Sequence, residues 1–198
     1  MSHEQRWSVA WVSPDGRLEA IEPSRPEVEA AAPRLSAWYN EPHNRAMMSN
    51  ETEMAPDEVV RHFEDVAQKG GRNFLLYADD RLMGDADLRH VDEAAHTAEF
   101  AIMIGERNIQ GRGYGTRFAL MLHAFAFETL RLEHIYVSII PQNSGSLRLF
   151  EKLGYQSDDS PAARAYIDEP DDVTLSFARA DFLRLHSATV QKLTYRSA

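Results

Sequence analysis

The chain has 198 residues, 43% hydrophobic and 26% charged, with a formal net charge of −10 and no cysteine. That composition suits one soluble globular core, excludes disulfides, thiol catalysis and cysteine metal sites, and argues against non-specific nucleic-acid binding, which needs a basic footprint. No apolar run approaches the ~20 residues of a membrane span, and MSHEQRWSVAWV lacks a basic region followed by a long apolar core, so neither a membrane partner nor a signal peptide is expected. With no linker or repeat, a single domain over 1–198 is expected, and the absence of cysteine is compatible with a reducing cytoplasm.

In chain order, WSVAWV and LEAIE around Ser13-Pro14-Asp15-Gly16 predict an opening hairpin. Residues 23–40 read as a helix with a break near Pro33, anchored at its end by Trp38 and Tyr39; 40–54 reads as loop or short helix. Pro56 opens a helix with acids in its first turn, Val59, Val60, Phe63 and Val66 on one face, and Gly70-Gly71 as its stop. Strands are expected at 72–78 and 81–89 around Asp79-Asp80, and at 96–105. A glycine-rich turn then leads into a helix over 116–130. Residues 134–141 read as a buried strand, and Asn143 caps a helix that ends at Gly154. Residues 164–167 and 172–179 read as a closing strand pair, and 180–193 as a terminal helix. The order is mixed α and β.

The turn Gln110-Gly111-Arg112-Gly113-Tyr114-Gly115-Thr116 joins a strand to a helix. Such a turn aims the unpaired N–H groups of a helix start at an anion, and its glycines permit close approach and positive φ. A tight turn without a ligand reads the same way. The G-x-G-x-G spacing, late in the chain, fits a dinucleotide fingerprint poorly, and no lysine precedes Thr116 as a P-loop requires. The pattern Q/R-x-x-G-x-G/A, followed by PQNSGSLRLFEKLGY (141–155), resembles the GNAT superfamily of N-acetyltransferases, in particular the branch with ribosomal-protein-alanine and spermidine acetyltransferases. The resemblance is strongest over 96–155 and weaker over 17–95; 1–16 and 183–198 look like extensions peculiar to this chain.

The resemblance implies a GNAT-like α/β (α+β) fold: a central, mostly antiparallel mixed sheet that splays after the 96–105 strand, flanked by helices. It implies an acetyl-CoA-dependent N-acetyltransferase acting on a primary amine by direct transfer in a ternary complex, without a metal. The backbone of Ile102, Met103 and Ile104 would run beside the pantetheine, and the amides of Gln110, Gly111, Arg112, Gly113, Tyr114, Gly115 and Thr116 would hold the pyrophosphate. Asn143 would contact the pantetheine arm, a role compatible with a helix cap, and Ser146 stands where the family often has alanine. Arg148 and Lys152 would meet the adenosine phosphate, or simply form a solvated helix face.

Acetyl transfer needs a neutral amine, and a lysine-like amine has a pKa of ~10.4, so a base or water chain must take its proton. Glu99, on a strand with apolar neighbours, is the candidate base; a surface or salt-bridged glutamate is the alternative. His96 is a weaker candidate. Asp85 and Asp87 share a strand face and would hold a cationic acceptor, or lie in solvent. The chain departs from the family at Phe150, where a tyrosine usually protonates the leaving thiolate. Three readings stay open: the thiolate leaves unaided, Tyr155 or Tyr114 replaces the acid, or the protein is a coenzyme-A-binding regulatory module with little transferase activity. The acceptor and the acyl-chain length are open too, although Asp168-Glu169-Pro170-Asp171-Asp172 and the net charge tilt towards a cation. Relatives of this type often form homodimers.

Overall fold

The computed structural model describes residues 5–49 and 52–197; residues 1–4 and 198 of the expected extensions, and 50–51 of the 40–54 segment, lie outside the described residues. The opening hairpin is β1 (Trp7–Ser13) and β2 (Gly16–Ile21). Three helices follow: α1 (Arg25–Tyr39), the short α2 (Pro42–Met47) and α3 (Pro56–Gln68). Then come β3 (Arg72–Ala78), β4 (Arg81–Asp92) and β5 (Thr97–Ile104), a single 3₁₀ turn over Arg107–Ile109, and α4 (Tyr114–Glu128). The remainder is β6 (His134–Ile139), α5 (Ser144–Leu153), β7 (Gln156–Ser157), α6 (Pro161–Arg164), β8 (Val173–Ala178), α7 (Arg179–Val190) and β9 (Leu193–Ser197).

The strands form one sheet in the order β7-β8-β6-β5-β4-β3-β2-β1-β9, in which, among the described residues, only β5 and β6 run parallel. On one face, α4, α5 and α7 cover the larger core, built around Phe74, Phe118, Phe125, Phe127 and Phe177. On the other face α1 and α3 lay Val28, Leu35, Val59 and Phe63 over Leu75. Inside the larger core His123 is fully buried among aromatic rings. Its Nδ1 lies 2.6 Å from the Ala119 carbonyl and its Nε2 2.5 Å from the Tyr155 hydroxyl, so both nitrogens are satisfied.

Four expectations need correction. Helix α1 is continuous through Pro33, because that ring lies on the exposed face and costs a single backbone hydrogen bond there. Helix α4 starts two residues earlier than expected, with Gly113 as its left-handed N-cap. Residues 164–167 are not a strand. Ser160 caps α6 by accepting the Ala163 N–H at 3.2 Å, Pro161 fits its first turn, and Tyr166 then stacks on Tyr136 with centroids 4.6 Å apart. The partner of β8 is instead the two-residue β7. Finally, the terminal helix stops at Val190, and Leu193–Ser197 forms an edge strand on β1.

Gly84 of β4 sits opposite Ile104 of β5; a Cβ there would stand 1.9 Å from the Met103 carbonyl oxygen. Gly84→Ala is therefore expected to destabilise by about 3 kcal/mol and lower Tm by roughly 6–12 °C in calorimetric melting. An unchanged Tm would mean that the two strands are not held this closely.

Candidate functional site

Strand β5 pairs with β6 only over Thr97–Glu99, opposite His134–Tyr136. Beyond that point β5 runs on to Ile104 paired with β4, and β6 runs on to Ile139 paired with β8. The strands part, and a cavity of about 390 Å³ fills the wedge between them. Phe100 and Ile102 line it from one face of β5, and Glu99, Ala101 and Met103 from the other. Since side chains alternate along a strand, the cavity passes through the sheet.

At its α5 end stand Asn143, Ser146 and Phe150. Asn143 Oδ1 caps α5 by accepting the Ser146 N–H at 3.0 Å, and its Nδ2 donates to the Met47 carbonyl at 3.1 Å, tying α5 to the end of α2. Phe150 is 2% exposed and edge-on to Phe100. Beside this end lies the glycine turn. Gly111 and Gly113 have φ of +75° and +84°, and a Cβ on either would meet open space. The N–H groups of Tyr114, Gly115 and Thr116 open α4 without an acceptor among the described residues. Gly115 backs onto Leu149 of α5, where a Cβ would stand 2.8 Å from its methyl. The Gln110 side chain donates to the Ile104 carbonyl at 2.8 Å and to Asn44 at 2.9 Å, fixing the turn to the end of β5 and to α2.

The other end is acidic. Asp85 and Asp87 are 7% and 6% exposed, on the β4 face that looks towards α1 and α3. Tyr39 donates its hydroxyl to Asp85 Oδ2 at 2.5 Å. Burial raises the Asp85 pKa to about 7 against the opposing Tyr39 hydrogen bond, and raises Asp87 to about 6 against the pull of Arg89. Glu99, 1% exposed, accepts from Arg89 Nη2 at 2.6 Å and lies 2.7 Å from His90 Nδ1. Arg89 also reaches Asp168 at 3.2 Å. Ser138 of β6 donates to Asp172 at 2.7 Å and accepts the Asp168 N–H at 3.1 Å, which folds the acidic loop over this end. Burial lowers the pKa of His62, which lines the same space from α3.

The fold thus gathers Asp85, Asp87, Glu99, Ile102, Met103, Asn143, Ser146 and Phe150 around one cavity. Ile104, the Gln110–Thr116 turn and exposed Lys152 lie outside its lining. Tyr155 does not reach it: the ring is 4% exposed and its hydroxyl is spent on His123. Tyr39, read from sequence only as a helix anchor, joins the site through Asp85, and Arg89 and Ser138 were not singled out from sequence; the DEPDD run was the one visible sign of the acidic loop. Among the described residues no group of three or more His, Asp or Glu could hold a metal ion, and no helix is long and apolar enough to cross a membrane.

The acetyltransferase (GNAT) domain family matches residues 24–156. The chain is 26% identical over 118 residues to spermidine N(1)-acetyltransferase of Escherichia coli K12, covering 60% of this chain and 58% of that protein. It is 26% identical over 185 residues to an N-acetyltransferase 9-like protein of Nematostella vectensis, covering 86% and 88% of the two chains. In three dimensions it resembles spermidine N-acetyltransferase from Vibrio cholerae, solved in complex with CoA and spermine, with a TM-score of 0.68, 18% identity, and 84% and 98% of the two chains covered. The chain spans a little over half the length of the E. coli relative, and the structural likeness shows a shared fold. With the splayed sheet, the glycine turn and the family match over 24–156 in agreement, the chain belongs to the GNAT acetyltransferase family.

Proposed function

We propose that the protein is an acetyl-CoA-dependent N-acetyltransferase that modifies a cationic primary amine by direct transfer. The observation that carries this reading is the cavity through the splay, which joins the α5 and glycine-turn end to a wall of buried carboxylates. The α4 start suits a pyrophosphate: three N–H groups without acceptors among the described residues, and two glycines where a Cβ would meet open space. The edge of β5 from Ile102 to Ile104 would take the pantetheine, with Asn143 and Ser146 opposite and Lys152 and Arg148 nearer the adenosine phosphate. Asp85, Asp87 and the Asp168–Asp172 loop supply the negative potential that an ammonium needs. That the relatives include spermidine acetyltransferases supports an amine acceptor. The same reading makes residues 1–198 one acetyltransferase domain, working in the cytoplasm, with a second copy of the chain as its candidate partner.

A second reading, a coenzyme-A-binding regulatory module, is favoured by Phe150, which has no proton to give, and by Tyr155, whose hydroxyl is committed to His123. One experiment separates the two: calorimetric titration with acetyl-CoA, then thiol release against a panel of polyamines, aminoglycosides, amino acids and N-terminal peptides. Binding with release selective for multiply charged amines is the expected result. Binding without release from any amine supports the regulatory module, and no binding removes both readings.

A further inference from the structure

Glu99 is poorly placed to act as the base. Both its oxygens are engaged, one by the Arg89 guanidinium at 2.6 Å and one by His90 at 2.7 Å. Protonating a carboxylate in that position breaks a buried ion pair. Asp87 is different. It lines the cavity at 6% exposure, accepts no hydrogen bond from any described residue, and has Oδ1 buried without a donor. Arg89 Nε stands 3.9 Å from that Oδ1, beyond hydrogen-bond reach. A buried oxygen left without a donor is unfavourable, and a ligand N–H would relieve it. Across the ladder Asp87 faces Ala101, which also lines the cavity.

We propose that Asp87 is the catalytic base for the acceptor amine, and that Glu99 is a positioning residue that holds Arg89 away from it. This rests on the acetyltransferase reading above. The ammonium of the acceptor gives one proton to the Asp87 carboxylate. The neutral nitrogen then forms the C–N bond with the thioester carbonyl carbon, and the C–S bond breaks. The second amine proton goes to the departing sulfur, and Asp87 returns its proton to solvent. Asp87 is faced by Asp85, Arg89 and His90 of β4, Glu99 of β5, Tyr39 of α1, His62 of α3 and Asp168 of the acidic loop. Burial outweighs the Arg89 charge among these and lifts Asp87 to about 6, the strength of a base that is ionised at neutral pH yet accepts a proton readily.

The test compares wild type with Asp87→Asn, Asp87→Glu and Glu99→Gln, using the amine that gives the fastest thiol release. Wild type is expected to lose kcat/KM as pH falls through about 6. Asp87→Asn is expected to lower kcat about 100-fold or more, to abolish that acid limb, and to leave acetyl-CoA affinity within about threefold. Asp87→Glu keeps a carboxylate and should recover part of the rate with a displaced limb, and it serves if the asparagine variant does not fold. Glu99→Gln should retain the limb. A second readout needs no turnover: infrared titration of the free protein should show one carboxyl fewer protonating near pH 6 in Asp87→Asn. A limb kept by Asp87→Asn and lost in Glu99→Gln overturns the assignment of the base alone. A wild-type protein that fails to bind acetyl-CoA overturns the acetyltransferase reading and the base with it.

Discussion

Gly113→Glu is expected to weaken acetyl-CoA binding at least 100-fold, a loss of about 2.7 kcal/mol. Gly113 is the left-handed N-cap of α4, with φ +84° and open space where a side chain would project. A glutamate there sets a carboxylate beside the N–H groups of Tyr114, Gly115 and Thr116 and repels the pyrophosphate that we assign to them. It also pays roughly 1–2 kcal/mol of backbone strain. Gly113→Asn separates the two effects, because asparagine tolerates the left-handed region and adds no charge. Calorimetry at two salt concentrations should show a large, salt-dependent loss for glutamate and a small, salt-independent one for asparagine. Equal affinity of Gly113→Glu and wild type would remove the anion role from this turn.

The parts of the fold that were legible in the sequence are those whose physics is local. The glycine turn, the capped α3 with Val59, Phe63 and Val66 on one side, and the hairpin at Asp79-Asp80 each carry their own signal. The cofactor end of the site was legible for the same reason: Asn143 caps α5 at the next turn of chain. The splay was expected from the resemblance alone, since no local pattern says where two parallel strands part. The acidic end was half legible. Asp85 and Asp87 share a face by simple alternation, but their burial depends on Tyr39, 46 residues earlier in the case of Asp85, and on a loop that returns after β7. The misread 164–167 segment shows the converse. Its residues could pair as a strand, but the Ser160-Pro161 start and the stacking of Tyr166 on Tyr136 draw it into a turn of helix.

Acid should reveal two buried charge defects of opposite sign. His123 is neutral in the core, its pKa pushed down to about 3 by burial, against 6.5 in the unfolded chain. Between those values the unfolded state binds a proton that the native state refuses, so stability falls by about 1.4 kcal/mol per pH unit as pH drops below 6.5. Asp85 and Asp87 act the other way. Their native values of about 7 and about 6 lie above the unfolded 3.8, so the folded protein takes up protons first and gains stability as pH falls towards 4. The two effects oppose each other in wild type. Asp85→Asn with Asp87→Asn removes the gain and leaves the His123 loss exposed. Urea titrations at pH 6 and pH 4 should therefore show the double variant losing roughly 4 kcal/mol relative to wild type over that interval, after both are referred to their own stability at pH 6. His123→Phe with Tyr155→Phe, which replaces both partners of the buried hydrogen bond by apolar rings, should cancel the His123 loss when added to that double variant. Parallel stability curves for wild type and the double asparagine variant would mean that Asp85 and Asp87 titrate like ordinary carboxylates, and that the wall of the cavity is wet and open.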